Sequence, residues 1–193
     1  MIEQTFRIGI IGGIGSGKTA VTAILRANGA NVLVADEINN ELLYDKVYIS
    51  RLKDIIPEAI IDGVVDRQAL ASIIFDDESK RQQLMRLAHP LIVELMEERS
   101  RGKLVFFEIP LINEVNMSFD RLWYIAADKD IRIERVLKRS GLTQGKVNRI
   151  IELQGEINID LPNIVIIDNN GEYASLKRVV EELYCALLEE LAL

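Results

Sequence analysis

The segment Gly12-Gly13-Ile14-Gly15-Ser16-Gly17-Lys18-Thr19 carries the most specific chemistry in the chain. It satisfies the pattern G-x-x-x-x-G-K-[ST], in which glycines let successive backbone N–H groups converge on a phosphate. The lysine of that pattern reaches the β- and γ-phosphates of a nucleoside triphosphate, and the hydroxyl after it ligates Mg²⁺. Gly13, Ile14, Gly15, Ser16, Gly17, Lys18 and Thr19 are therefore expected to hold a nucleotide, with Thr19 also on the metal and Lys18 acting on the transferred group. A glycine-rich turn could meet the pattern by chance, but the surroundings argue against that. The apolar run Phe6–Ile11 precedes it, and Val21, Ile24 and Leu25 follow at helical spacing. Strand, glycine loop and helix in that order aim a helix N-terminus at the phosphates.

Other chemistry-bearing residues are fewer. Asp36 follows the apolar run Asn31–Ala35, where a strand would deliver a carboxylate to its carboxyl end; a helix cap at Glu37 is the structural alternative. Lys129, Arg132, Arg135, Lys138, Arg139, Lys146 and Arg149 form a cationic stretch opposed only by Asp128, Asp130 and Glu134. Arg135 and Arg139 lie four apart, hence on one helix face, as a phosphate clamp or as a solvated charge run. His89 is the sole histidine, and alone before Pro90 it reads as structural. Cys185 is the sole cysteine; it excludes an internal disulfide, and its helical apolar setting predicts a packing role.

These residues need a scaffold. Short apolar strands at Phe6–Ile11, Asn31–Ala35, Lys103–Phe107, Leu122–Ala126 and Ile164–Ile167 alternate with helices, the pattern of a parallel sheet covered on both faces. Residues 37–102 form a long insertion, helical after a turn at Asp62-Gly63. Asp66 is the expected cap of Arg67–Phe75, and Leu84, Leu87, Leu91, Ile92, Leu95 and Met96 recur on one face of Glu78–Arg99. The cationic stretch reads as two short helices separated by Gly141, in the place of a mobile lid. Tyr173–Leu191 closes the chain as an amphipathic helix with i,i+4 pairs Lys177–Glu181 and Arg178–Glu182 on its solvated side.

Composition narrows the class further. The chain has 193 residues, 49% of them hydrophobic, and a net charge of −7. That is enough for one substantial core, and the acidic balance argues against a nucleic-acid partner. The absence of a signal-peptide pattern and of a spanning apolar run points to a cytoplasmic protein with no membrane partner. Nothing obliges assembly beyond a monomer or weak homo-oligomer. Guanine-reading N-K-x-D and the ABC-type signature are both missing, and the one D-x-x-G match, Asp168 to Gly171, follows the last strand. What remains is a small-molecule or nucleotide kinase, in which cations position the phosphoryl group and water is excluded.

Read in order, the phosphate loop, Ala35-Asp36, His89-Pro90-Leu91-Ile92, Pro110-Leu111-Ile112-Asn113-Glu114, Arg149-Ile150 with Gln154, and Ile167-Asp168-Asn169 resemble the dephospho-CoA kinase family over nearly the whole chain. The His-Pro-Leu-Ile and Pro-Leu-x-x-Glu elements at these separations supply the specificity that a phosphate loop alone lacks. The resemblance implies phosphorylation of the ribose 3′-hydroxyl of dephospho-CoA by ATP with Mg²⁺. It also implies a three-layer α/β/α core with a parallel five-stranded sheet (about 1–36, 103–127 and 162–193), a helical CoA-binding insertion (about 37–102) and a helical lid (about 128–161). By the same resemblance Asp36 orients the 3′-hydroxyl and accepts its proton, His89 contacts the substrate, Pro110 and Leu111 shape the wall beside it, and Glu114 is either a substrate contact or a buried polar partner. Glu108 takes the place of an Asp that holds Mg²⁺ or its waters. Arg135 and Arg139 become lid arginines on the phosphates, with Arg139 catalytic, and Asn170 joins the loop beside the adenine.

The chain departs from the family pattern in three places. Val34-Ala35-Asp36 stands where the family often reads Asp-Ala-Asp, Glu108 replaces Asp, and Gly155 to Asn163 holds no Lys or Arg where basic residues are common. Two alternatives stay open on sequence alone: another small-molecule or nucleotide kinase, and a non-catalytic nucleotide- or CoA-binding paralogue.

Overall fold

In a computed structural model, residues 5–110, 117–155 and 163–193 are described. They form two compact units, one of residues Met1–Leu33 with Ser100–Leu193 and the other of Val34–Arg99.

The first unit is built on a sheet. Strand β1 (Phe6–Ile11) leads through the glycine loop into helix α1 (Lys18–Ala27), and β2 (Asn31–Val34) follows. Later come β5 (Leu104–Glu108), β6 (Arg121–Ala126), helices α6 (Lys129–Ser140) and α7 (Gln144–Gln154), β7 (Ile164–Asp168) and α8 (Tyr173–Glu190). The sheet order is β2-β5-β1-β6-β7, five parallel strands in a three-layer α/β/α arrangement. Residue partners Ile10↔Glu108 and Ile11↔Tyr124 flank the end of β1. The chain leaves β1 towards one side of the sheet and later fills the other, so the glycine loop sits at the point where strand order reverses, where open α/β sheets bind ligands.

Burial explains why these segments are strands. Every residue of β5 is buried, as are the last four of β1, and apart from Glu108 these buried stretches are apolar because helices cover both faces. Phe106 meets Trp123 edge-on at 5.2 Å and Tyr184 of α8 at 5.9 Å between ring centroids. Leu176, Val180, Tyr184 and Leu187 form the buried stripe of α8. Cys185 falls off that stripe and is exposed, which corrects the expectation that it packs. The pairs Lys177–Glu181 and Arg178–Glu182 are both at 3.8 Å and solvated. Gly141, with φ 63°, ends α6 and separates it from α7 as the sequence predicts.

The second unit is helical: α2 (Ala35–Leu42), α3 (Lys46–Ile55), a single 3₁₀ turn (Pro57–Ala59), α4 (Arg67–Asp76) and α5 (Glu78–Arg99). Asp66 caps α4 by accepting from the N–H groups of Gln68 and Ala69 at 2.9 and 3.0 Å. The unit has its own core, in which Leu42, Tyr48, Leu52, Ile56 and Leu70 pack with Leu84, Leu87, Leu91, Ile92 and Leu95 of α5. The turn at Asp62-Gly63 closes a two-residue antiparallel hairpin, β3 (Ile60–Ile61) with β4 (Val64–Val65). Asp62 (φ 51°) and Gly63 (φ 79°) are both left-handed, the geometry a two-residue hairpin loop demands.

Candidate active site

The glycine loop is held from three sides within the sheet-bearing unit. Lys18 heads α1, and its Nζ donates back across the loop to the Gly12 carbonyl at 2.8 Å. Gly17 has φ 103°, and a methyl group there would strike the amide of Asn169. That amide, 6% exposed at the end of β7, donates from Nδ2 to the Ser16 carbonyl at 2.7 Å. Ser16 itself is 1% exposed, and its Oγ has no hydrogen-bond partner among the described residues. A buried hydroxyl left in this state is costly without an acceptor, and a phosphate oxygen supplies one.

The tip of the loop is gripped by the two cationic helices. The Ile14 N–H donates to Gln154 Oε1 of α7 at 2.8 Å, and the Ile14 carbonyl accepts from Arg132 Nε of α6 at 2.9 Å. The Ile14 side chain packs against the small core of Ile133, Val136 and Val147 that joins α6 to α7. A methyl group at Gly13 would displace the Arg132 guanidinium from its present position against the loop. Burial pushes the Arg132 guanidinium down from its ordinary value, yet Arg remains charged.

From Arg132 the row continues along one helix face, since Arg135 lies three residues on and Arg139 seven. Arg135 is half-buried and its Nη1 has no partner among the described residues; Arg139 is exposed. An N–H shielded from water in this way is costly unless it finds an acceptor, and an anion is the strongest acceptor a guanidinium can take.

Metal-binding oxygens are available at two element ends. Thr19 is exposed in the first turn of α1, and Glu108, 6% exposed, ends β5 beside Ile10. Mg²⁺ takes one or two protein oxygens together with substrate phosphates, and a hydroxyl with a carboxylate is a fitting donor set.

The remaining predicted residues belong to other elements. Asp36 lies in the helical unit as the second residue of α2, with its carboxylate exposed. The alternative reading of Asp36 as a cap is corrected: Val34 is the N-cap of α2, and among the described residues no side chain caps that helix end. His89 is half-buried within α5. Pro90 follows it inside the same helix and removes an N–H from the helical ladder. Pro110 follows β5 and is partly buried, whereas Leu111 and Glu114 lie outside the described residues. Asn170 engages protein groups: its Oδ1 accepts from the Asp128 N–H at 2.8 Å and its Nδ2 donates to Asp168 Oδ2 at 3.1 Å. Its neighbour Asn169 is the one that touches the phosphate loop.

Sequence reasoning assigned no role to Arg132, Gln154 or the Asn169 contact with Ser16. Arg132 stood in the cationic stretch and Gln154 in the family pattern, but contacts across 118 and 140 residues leave no local signal.

The comparisons agree with this geometry. The dephospho-CoA kinase family model matches residues 6–175. A dephospho-CoA kinase of Dehalococcoides mccartyi is 34% identical over 193 residues, covering 94% of this chain and 98% of its own. A crystal structure from Thermus thermophilus has a TM-score of 0.76 at 31% identity and covers 95% of this chain and 98% of that one. A Campylobacter jejuni dephospho-CoA kinase, at 20% identity and a TM-score of 0.65, covers 97% and 99% and shares the fold. With its phosphate loop, its sheet order and a family match that runs through both units, the chain belongs to the dephospho-CoA kinase family.

Proposed function

We propose that the protein transfers the γ-phosphoryl group of ATP to the ribose 3′-hydroxyl of dephospho-CoA, giving coenzyme A and ADP, the last step of coenzyme A synthesis. The observation that carries this reading is the loop Gly12–Thr19 with buried donors that have no acceptor among the described residues, Ser16 Oγ and Arg135 Nη1, in a chain of this family. Backbone N–H groups of Gly15 to Lys18 cradle the β-phosphate, and the Lys18 ammonium exchanges its bond to the Gly12 carbonyl for phosphate oxygens. Arg135 and Arg139 stabilise charge on the transferring group, and Arg132 keeps the loop tip in shape.

Thr19 and Glu108 are the residues that would hold Mg²⁺, which when bound draws charge from the β- and γ-phosphates. Asp36 accepts the proton of the 3′-hydroxyl as the new O–P bond forms, and its exposed position at the head of α2 leaves both carboxylate oxygens open to the acceptor. His89, Pro110, Leu111 and Glu114 contact the acceptor without transferring protons. A cytoplasmic setting suits this reaction, and among the described residues no helix is long and apolar enough to cross a membrane.

The test is a coupled ADP-release assay with MgATP and dephospho-CoA, run beside adenosine, AMP and shikimate. Turnover confined to dephospho-CoA is expected. Equal turnover of another acceptor would favour a different small-molecule kinase, and tight binding without turnover would favour a binding protein.

A further inference from the structure

Two neighbouring asparagines follow β7, whose last residue, Asp168, pairs with Ala126 at the end of β6. The Asn169 N–H donates to the Ala126 carbonyl at 2.8 Å, and its Nδ2 donates to the Ser16 carbonyl of the phosphate loop at 2.7 Å. Asn170 reaches a different element. Its Oδ1 accepts from the Asp128 N–H at 2.8 Å, and its Nδ2 donates to Asp128 Oδ1 at 3.3 Å. Asp168 holds Asn170 in turn: Asp168 Oδ1 accepts from the Asn170 N–H at 2.9 Å and Oδ2 from its Nδ2 at 3.1 Å. Fixed from that side, the Asn170 amide presents its oxygen to one main-chain N–H.

Asp128 is the N-cap of α6. An aspartate there ordinarily accepts, through its side chain, from an N–H of the first helical turn. Among the described residues Asp128 makes no such bond, and its Oδ1 is spent on Asn170. The main chain still opens the helix, with the Arg132 N–H donating to the Asp128 carbonyl at 2.9 Å. The start of α6 is therefore tied by a contact across 42 residues instead of by a local cap. Arg132, Arg135 and Arg139 follow Asp128 at four, seven and eleven residues. At about 100° per residue all three fall within about 40° of its side of the helix. Arg135 lies about 10 Å along the axis from Asp128, and the hydrogen-bonded turns between them carry a shift at one to the other.

We infer that Asn170 is a positioning residue for phosphoryl transfer: it fixes the main chain at the root of α6 and thereby sets where Arg135 stands relative to the phosphate loop. The inference rests on the kinase reading, in which Arg135 stabilises charge on the transferring group. Asn169 completes the brace, since it fixes the loop through the Ser16 carbonyl from the adjoining residue of the same turn. Loop and arginine helix are thus registered on one dipeptide at the end of β7, and a phosphoryl group between them meets both sets of donors without rearrangement. Asn170 acts here through Asp128 and does not touch the nucleotide.

The experiment is a double-mutant cycle in the full-length protein: wild type, Asn170→Ala, Arg135→Gln and the double variant. The kcat with dephospho-CoA, the KM for each substrate, the melting midpoint and the hydrogen exchange of the α6 amides are measured. Asn170→Ala is expected to lower kcat about tenfold, a part of what losing Arg135 itself costs, with both KM values within about twofold of wild type. In the Arg135→Gln background the same substitution should cost less than about twofold, because the group it positions is already gone. The bonds removed lie at the surface, so the melting midpoint should fall only slightly. An equal kcat loss in both backgrounds would overturn the inference, as would an unchanged kcat or a loss that merely follows a collapse of the melting midpoint. A rise in the KM for ATP larger than the fall in kcat would also overturn it, by showing that Asn170 touches the nucleotide. If the wild type does not turn over dephospho-CoA, the kinase reading falls and exchange alone decides the brace. Amides from Arg132 to Arg135 that exchange several-fold faster in Asn170→Ala would then support it, and unchanged exchange would overturn it.

Discussion

Among single residues, the arginines of α6 divide by what they touch. Arg132 is committed to the Ile14 carbonyl at 2.9 Å, while Arg135 presents a buried Nη1 with no partner among the described residues. The family resemblance weights Arg139 as the catalytic member, yet Arg139 is exposed and Arg135 is not. Removing one preorganised charge donor from a phosphoryl-transfer site costs on the order of 10²-fold in kcat. Arg135→Gln is therefore expected to lower kcat by roughly that factor with little change in melting midpoint, and Arg139→Gln by less. Single-turnover kinetics with saturating MgATP read both. A larger loss for Arg139→Gln would show that the helix moves in the loaded enzyme so that Arg139 takes the inner position.

At the level of elements, α6 and α7 act on the loop through one peptide unit, that of Ile14. Its N–H is bonded by Gln154 and its carbonyl by Arg132, so both helices set the shape of the segment expected to wrap the β-phosphate. Gln154→Leu strands a part-buried N–H, which costs about 1–3 kcal/mol, and it frees the loop tip from α7. The expected outcome is about a tenfold rise in the Kd for ATP, read by calorimetry, with dephospho-CoA binding unchanged. Much of this scaffold was legible in the sequence. The strands of the core are continuous apolar runs because both faces are covered, and the glycines announce the loop between β1 and α1. Asp66 and Gly141 announce their helix ends by residue type alone. Three features were not legible: the β3–β4 hairpin, whose ladder is only two residues long, the Ile14 grip, and the exposure of Cys185. The grip joins residues far apart in sequence, and the position of Cys185 depends on where α8 places a stripe that several registers would satisfy.

For the molecule as a whole, the chain divides into two units, and the Val34–Arg99 unit has a core of its own. The Val34–Arg99 unit is tied internally by Arg99, whose Nη1 and Nη2 donate to Glu41 Oε1 and Oε2 at 3.1 and 2.6 Å. The hydrogen bonds from Arg99 hold the Glu41 carboxyl below its ordinary value. A depressed carboxylate contributes stability above its unfolded value, near pH 4.3, and loses it as pH falls through the lower folded value. Both partners are well exposed, which limits the contribution to about 0.2–1 kcal/mol. Glu41→Gln should thus lower the melting midpoint slightly at pH 7, and the difference from wild type should close as pH falls below about 4. A difference that persisted in acid would assign the effect to packing instead.

The central claim is that Asp36, at the head of α2, serves transfer to the 3′-hydroxyl of dephospho-CoA. The most direct measurement incubates wild type and Asp36→Asn with γ-labelled MgATP and dephospho-CoA and locates the transferred phosphate by phosphorus NMR and mass spectrometry. The account predicts label on the ribose 3′-oxygen with wild type, and a rate reduced by about 10²-fold or more with Asp36→Asn at unchanged ATP affinity. Label on any other oxygen, or undiminished transfer by Asp36→Asn, would contradict it.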